Sequence, residues 1–302
     1  MNSCIASEVL LVRPKHFTCN TETALDNHYQ VSSTSHTPQE LEAEALNEFD
    51  NLVHALSSAG IGVHVQEDSD EVVLPDAVFP NNWFSTHSDG TVVLYPMKAV
   101  SRRRERRPEI VSFLRARYEN LVDLSTHEEE GHFLEGTGSL VLDRKDKVAY
   151  ACLSQRTSEA LAQTWAQKLG YVLCVFEASD HESGPIYHTN VMMSVGSDWA
   201  AVCAEAVHDS KQRSALLKRL ESSGKKLFLL THEAVRHYCG NILELQTEDR
   251  RRIIALSQSA FNALPCDLRS FFMERATLVS SAIPTIEKYG GGSVRCMIAE
   301  LY

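Results

Sequence analysis

The sequence predicts an α/β protein assembled from small β-rich modules. Three observations carry that prediction. Short apolar, β-branched runs recur along the whole chain, amphipathic stretches with helical spacing fall between them, and the runs outnumber the stretches.

Taken in order, the first module opens with SEVLLVRP (7–14), followed by the amphipathic PQELEAEALNEFDNLVHALSSAG (38–60) and then GIGVHVQE (60–67). DAVFPNNWFS (76–85) and GTVVLYP (90–96) make the next pair of strands, with RRPEIVSFLRARYENL (106–121) as their helix. GSLVLDR (138–144), KVAYACLS (147–154), the helical TSEALAQTWAQKLG (157–170) and YVLCVFE (171–177) repeat the order strand, strand, helix, strand. TNVMMSVG (189–196), AAVCAEAV (200–207), DSKQRSALLKRLESSG (209–224) and KKLFLLT (225–231) repeat it again, and GNILELQ (240–246) and SVRCMIAEL (293–301) complete twelve candidate strands. Apolar residues at i, i+3 and i+4 mark each helical stretch. A doubly wound fold alternates one strand with one helix, so the excess of strands points to β-rich modules set around an axis; periodicity alone does not prove the axis.

The 302 residues suffice for one large domain or two ordinary ones, and a 43% hydrophobic content excludes a disordered or fibrous chain. No low-complexity linker divides the chain, so residues 1–302 are expected to form a single domain. The polar segment from Cys19 to Glu40 has the composition of an ordered loop or lid. The net charge of −11 disfavours nucleic acid and anionic membranes, and the favoured partner is a small molecule. The apolar run VLLV near the start is too short for a signal or membrane segment, so a cytoplasmic location is the expectation. The eight cysteines stand singly without a CxxC pair, which suits neither a disulfide scaffold nor a zinc ribbon.

Four stretches carry candidate chemistry. In YGGGSVRCMIAELY, Cys296 follows three glycines whose backbone could approach a substrate closely; the alternative is a buried thiol on an edge strand. His188 in GPIYHTNVMMSVG stands at the start of a strand, where an imidazole can pair with a thiol or serve only packing. Glu135 in GHFLEGTGSLVLD could orient that imidazole or be a solvated turn residue. In LPDAVFPNNWFSTH, Asp76, Asn81 and Asn82 lie among large apolar residues, as in a binding wall or an Asx-rich turn.

Together, in this order, these stretches resemble the signature blocks of the guanidino-group-modifying superfamily: arginine deiminases, dimethylarginine hydrolases and amidinotransferases. LPDAVFPNNW resembles the substrate-binding block, SRRRE (101–105) and LSQRTS (153–158) the two arginine blocks, FLEGTG the glutamate block, YHTN the histidine block and GGGSVRCM the nucleophile block. FPNNWFSTH, YPMKAVSRRRERRPEI and CGNILEL are most similar to the citrulline-utilisation hydrolases. The resemblance implies a five-bladed α/β propeller (pentein) of ββαβ modules with its site on the axis, no metal and no cofactor. It also implies a Cys296–His188–Glu135 constellation, with Asp76, Asn82, Asn190, Arg102 and Arg156 binding substrate. Of the run RRRERR, only Arg102 is expected to turn inward.

Arginine-acting members carry carboxylates where this chain has Asn82 and Asn190. A guanidinium offers only donors and positive charge, whereas a ureido group is neutral with a carbonyl acceptor beside its N–H donors. The two amides therefore favour citrulline, with hydrolysis to ornithine, carbon dioxide and ammonia through a carbamoyl thioester. The alternatives are an arginine deiminase or dimethylarginine hydrolase with altered recognition, and a non-catalytic propeller that binds a partner. Homo-oligomerisation stays open.

Overall fold

The computed structural model describes residues 4–31, 36–180 and 184–302. Five three-stranded sheets share one pattern, in which a short first strand runs antiparallel to the middle strand and a helical crossover leads to a parallel third strand. The first complete sheet joins β3 (Phe84–Thr86), β4 (Thr91–Leu94) and β5 (Asn120–Asp123) after the sheet opened by β1 (Glu8–Arg13) and β2 (Gly62–Glu67). The next joins β6 (Leu140–Asp143), β7 (Val148–Cys152) and β8 (Val172–Phe176). A two-residue pairing of β9 (Ser179–Asp180) with β10 (Gly184–Pro185) precedes the sheet of β11 (Met193–Val195), β12 (Trp199–Val202) and β13 (Lys226–Leu229). The fourth full sheet holds β14 (Leu243–Gln246), β15 (Arg252–Ser257) and β16 (Thr277–Ser281). Finally β17 (Ala299–Leu301) pairs antiparallel with β1, so the two ends of the described chain complete one blade, with Glu300 opposite Val9.

The first strands of the blades face one another around a common axis, and hydrogen bonds run from blade to blade. Thr86 Oγ1 donates to the Glu300 carbonyl (2.8 Å), Asn81 Nδ2 to Thr137 Oγ1 (3.1 Å) and Thr189 Oγ1 to the Ser139 carbonyl (2.5 Å). Asn241 Nδ2 donates to the Asn190 carbonyl (3.0 Å), and the Arg295 N–H to Asn241 Oδ1 (3.1 Å), which closes the ring. The fold is the five-bladed α/β propeller.

The crossover helices cover the outside. Pro38–Ser58 starts at a Thr37–Glu40 capping box with Pro38 in the first turn, and buries Leu41, Ala45, Phe49, Leu52 and Leu56 along one face. Pro108–Arg117, Glu159–Leu169 and Ser210–Ser222 occupy the other predicted helical stretches. The fifth crossover, Gln258–Ala263 with Cys266–Arg275, carries no clean apolar stripe and was not expected; neither were β15 and β16 beside it. No helix among the described residues is long and apolar enough to cross a membrane.

Candidate active site

In every blade a short turn leads into the axial strand, and these five turns meet at one end of the axis. They are Pro80–Asn82 before β3, Gly136–Ser139 before β6, Thr189–Met192 before β11, the Gly240–Asn241 turn before β14, and Val294–Met297 before β17. Residues far apart in sequence thereby become neighbours: Asn82, Glu135, His188, Asn190, Asn241 and Cys296 all come from this ring of turns. The structure puts Cys296 in a helical turn rather than on a strand, 5% exposed.

Two side-chain amides point at the thiol. Asn241 Nδ2 lies 3.2 Å and Asn190 Nδ2 3.5 Å from Cys296 Sγ. Both are N–H donors directed at the sulfur. Asn241 lies in CGNILEL and was not singled out by sequence reasoning; its position just before an axial strand, like Asn190 before β11, is the signal that identifies it.

His188 is buried, and its Nε2 lies 2.9 Å from Glu135 Oε2. Burial pulls the imidazole pKa down, and Glu135 only partly restores it, so the ring is neutral near pH 7. A carboxylate only accepts, so Nε2 carries the proton and Nδ1 is left free to act as a base. Nδ1 faces Gly138, where a Cβ would stand 2.7 Å from it and 2.5 Å from Asn82 Nδ2. Glycine there is a requirement of space.

Glu135 is fully buried, which by itself raises a carboxyl pKa; Arg156 and His188 outweigh that and bring it down to about 2. Its Oε1 accepts the Lys98 N–H (3.0 Å), and Arg156 Nη1 lies 3.6 Å from Oε2. The carboxylate is therefore charged, oriented and unavailable as an acid.

Asp76 is held by Asn20 Nδ2 (2.9 Å) and Thr23 Oγ1 (3.1 Å) through Oδ2, while Oδ1 is buried without a hydrogen-bond partner. Asn82 Oδ1 accepts from Arg102 Nη1 (2.7 Å), and Asn82 Nδ2 has no partner. Arg102 itself is bound by both oxygens of Glu105 (2.9 and 3.0 Å) and by the Phe79 carbonyl (3.0 Å). The resemblance casts Arg102 as a substrate-binding residue; in the structure most of its donors are engaged by Glu105, Phe79 and Asn82, and they hold the orientation of Asn82. Of its neighbours in the arginine run only Arg104 is exposed, and Arg106 pairs with both Glu128 oxygens.

Arg156 lies at the other side of the site. Its Nε donates to Asp26 (3.0 Å), its Nη2 to Asp26 and to the Thr23 carbonyl (3.0 Å), and its guanidinium stacks on Tyr187 at 4.8 Å. Asp26 also accepts from Lys98 Nζ (2.5 Å). The segment 20–30 thus closes over the site as the predicted lid; residues 32–35 of that prediction lie outside the described residues. Beneath it remains a cavity of about 20 Å³, room for one water, bordered by Asp76, Asn82, Arg156, His188 and Cys296.

Of the glycines before Cys296, Gly291 (φ +65°) ends the helix Pro284–Gly290 and spends its N–H within its own helix, on the Glu287 carbonyl, while a Cβ at Gly292 would meet the Phe79 ring at 2.9 Å. Their role is close packing of the lid and the turn.

The five-bladed α/β propeller with these turns at its axis defines the guanidino-group-modifying superfamily. Within it, the model of the eukaryotic N,N dimethylarginine dimethylhydrolases matches residues 13–302, and the chain belongs to that family. No curated protein matches the sequence. Among solved structures, apo ArgZ, an arginine dihydrolase from the ornithine–ammonia cycle in cyanobacteria, is 16% identical with a TM-score of 0.76 over 97% of this chain. The chain spans only 40% of that protein, yet 97% of its N-terminal domain, solved with a covalently bound reaction intermediate (14% identity, TM-score 0.75, 98% of this chain). A dimethylarginine dimethylaminohydrolase adduct with S-methyl-L-thiocitrulline is 14% identical, with a TM-score of 0.68 over 98% of this chain and all of its own. Identities this low establish the shared fold.

Proposed function

We propose that the protein hydrolyses the ureido group of citrulline to ornithine, carbon dioxide and ammonia, and that residues 1–302 act as one catalytic unit in the cytoplasm. The observation that carries this reading is the fixed orientation of Asn82. Arginine donates only, so Arg102 must face Asn82 Oδ1, which leaves Nδ2 an unpaired donor beside Gly138 and His188, in a residue that borders the cavity. The cavity then offers one unpaired donor, Asn82 Nδ2, and one unpaired acceptor, Asp76 Oδ1. A ureido group satisfies both, through its carbonyl and its N–H. A guanidinium would set an N–H against an N–H and leave a buried donor unmatched, at a cost of about 1–3 kcal/mol.

In this reading the Cys296 sulfur, held by Asn190 and Asn241, attacks the ureido carbon as its proton passes to His188 Nδ1, and Asn82 Nδ2 receives charge as the carbonyl oxygen becomes an oxyanion. His188, oriented by Glu135, passes the proton it took from the Cys296 thiol to the departing δ-amine of ornithine, and then takes one from the water that cleaves the carbamoyl thioester. Carbamic acid released in that step breaks down to carbon dioxide and ammonia. Arg156 and Lys98 stand where the α-carboxylate would dock once Asp26 moves away. A second reading, hydrolysis of arginine or a methylarginine, is favoured by the family match.

Incubation with citrulline, arginine and methylarginines, with ornithine, citrulline and ammonia measured separately, tests the two. Ornithine and ammonia from citrulline support the proposal; turnover of guanidino compounds that stops at citrulline refutes it. Cys296→Ser must abolish turnover at unchanged Tm, and near-wild-type activity in that variant would refute the nucleophile.

A further inference from the structure

The parallel strands β12 and β13 end side by side at Val202 and Leu229, and just beyond them the Leu230 N–H donates to the Val202 carbonyl (2.9 Å). The residues that follow the two strands therefore meet. Cys203 comes directly after β12, Glu205 lies in the short turn Ala204–Ala206, and His232 opens the helical turn His232–Arg236 beyond β13. Glu205 Oε1 accepts the His232 N–H at 2.9 Å, across 27 residues of sequence. One ligand atom from each side chain, the Cys203 sulfur, a His232 ring nitrogen and a Glu205 carboxylate oxygen, lies within 4.8 Å of the other two. None of the three residues lines the cavity beside Cys296.

With bonds of about 2.0–2.3 Å, the ligand atoms of a tetrahedral site stand about 3.3–3.8 Å apart, so side-chain rotations of about 1 Å bring these three into range. We propose that Cys203, Glu205 and His232 form a site for one divalent cation of the zinc class, with water as the fourth ligand. A thiolate, an imidazole and a carboxylate together suit borderline-soft transition ions, whereas magnesium and calcium take oxygen ligands. The charges agree, since a thiolate and a carboxylate balance a divalent ion and a neutral imidazole adds nothing. Burial, with the charges of Glu205 and Asp180, pushes the Cys203 thiol up to about 12, so without a cation it is protonated at pH 7. Arg236 stands 3.9 Å from Asp180 and offsets part of that charge. A bound ion reverses the balance: the sulfur gives its proton to solvent as the sulfur–metal bond forms, one proton for each ion. Cys203 is buried and Glu205 exposed, so the ion enters from the Glu205 side and is held against the core. It links the loops after β12 and β13 and takes no part in the hydrolysis at Cys296.

Cobalt(II) is the probe, because a thiolate ligand gives it a near-ultraviolet charge-transfer band that imidazole and carboxylate do not. The full chain carrying Cys296→Ser is titrated without oxygen, so that the candidate catalytic thiol contributes no signal. One equivalent of cobalt should develop the band together with the visible absorption of a four-coordinate ion, and should release one proton into weakly buffered solution at pH 7. One equivalent of zinc should erase the band, and the zinc-saturated chain should unfold at a higher temperature than the metal-free one. Cys203→Ser in the same background should abolish the band. Glu205→Gln alters an exposed side chain and His232→Gln a half-buried one, so both keep the fold, and each should weaken cobalt binding by about tenfold or more through loss of a ligand. Absence of the band in the Cys296→Ser chain, or a band that survives Cys203→Ser, overturns the site. Unchanged affinity in both Glu205→Gln and His232→Gln marks a lone thiol contact and overturns it as well.

Discussion

Replacing Asn82 by Asp tests the basis of substrate choice with the smallest possible change. The variant keeps the atom count and the acceptor that Arg102 Nη1 meets at 2.7 Å, but turns the unpartnered Nδ2 donor into a second acceptor. Facing a ureido carbonyl, that oxygen loses a hydrogen bond and adds a buried repulsion. About 2–3 kcal/mol of transition-state stabilisation should disappear, in line with the cost of an unsatisfied buried polar group. At about 1.4 kcal/mol per decade this is a drop of roughly 30- to 150-fold in kcat/KM for citrulline. A guanidinium gains by the same exchange, so arginine should compete better in the variant than in wild type. The assay is kcat/KM for citrulline and arginine in both proteins, with Tm as a control for the fold. An unchanged citrulline kcat/KM in a well-folded variant would refute the argument that the Asn82 amide reads the ureido oxygen.

The remaining predictions rest on other contacts. Gly138→Ala places a methyl 2.5 Å from Asn82 Nδ2 and 2.7 Å from His188 Nδ1; displacement of either group by about 1 Å should cost on the order of 100-fold in kcat, measured beside thermal unfolding. Because burial holds the His188 pKa below its ordinary value, the acid limb of kcat/KM due to this base should lie below pH 6.5. Glu135, brought from 4.5 down to about 2, stabilises the fold above pH ~4.5, and the contribution fades as pH falls toward 2; Glu135→Gln should flatten urea-derived stability across that window, where wild type loses roughly 3 kcal/mol. Asp26→Asn removes the charge shared by Arg156 and Lys98, and should speed hydrogen exchange and proteolysis in residues 20–30 while the propeller's exchange stays unchanged.

Much of the propeller was legible because its strands are short apolar runs with turn signals between them, and because four crossover helices carry clean i, i+3, i+4 stripes. The fourth blade was harder to read: Cys266–Arg275 buries only Leu268, Phe271 and Phe272 and mixes charges among them, so no helical period stands out. The site was legible as a set of residue types in order, with Cys296, His188, Glu135, Asp76, Asn82, Asn190, Arg102 and Arg156 all placed around one end of the axis. What those side chains bind could not be read in the same way. Arg102 is held by Glu105 three residues on, a spacing that also fits an exposed helical pair, and only burial of both shows that it orients Asn82.

Composition and periodicity sufficed for the class of fold, because strand and helix patterns are properties of residue type and local spacing, while the resemblance carried by the ordered blocks pointed to Cys296 as the candidate nucleophile and to amides where arginine-acting members carry carboxylates. Packing decided which hydrogen-bonding face of Asn82 is free, that Asn241 supports the thiol, and that Asp26 occupies Arg156 under a closed lid. Those facts depend on pairings across 20 to 130 residues, such as Asn82 with Arg102 and Asp26 with Arg156, and a pairing exists only once the blades have closed around their axis.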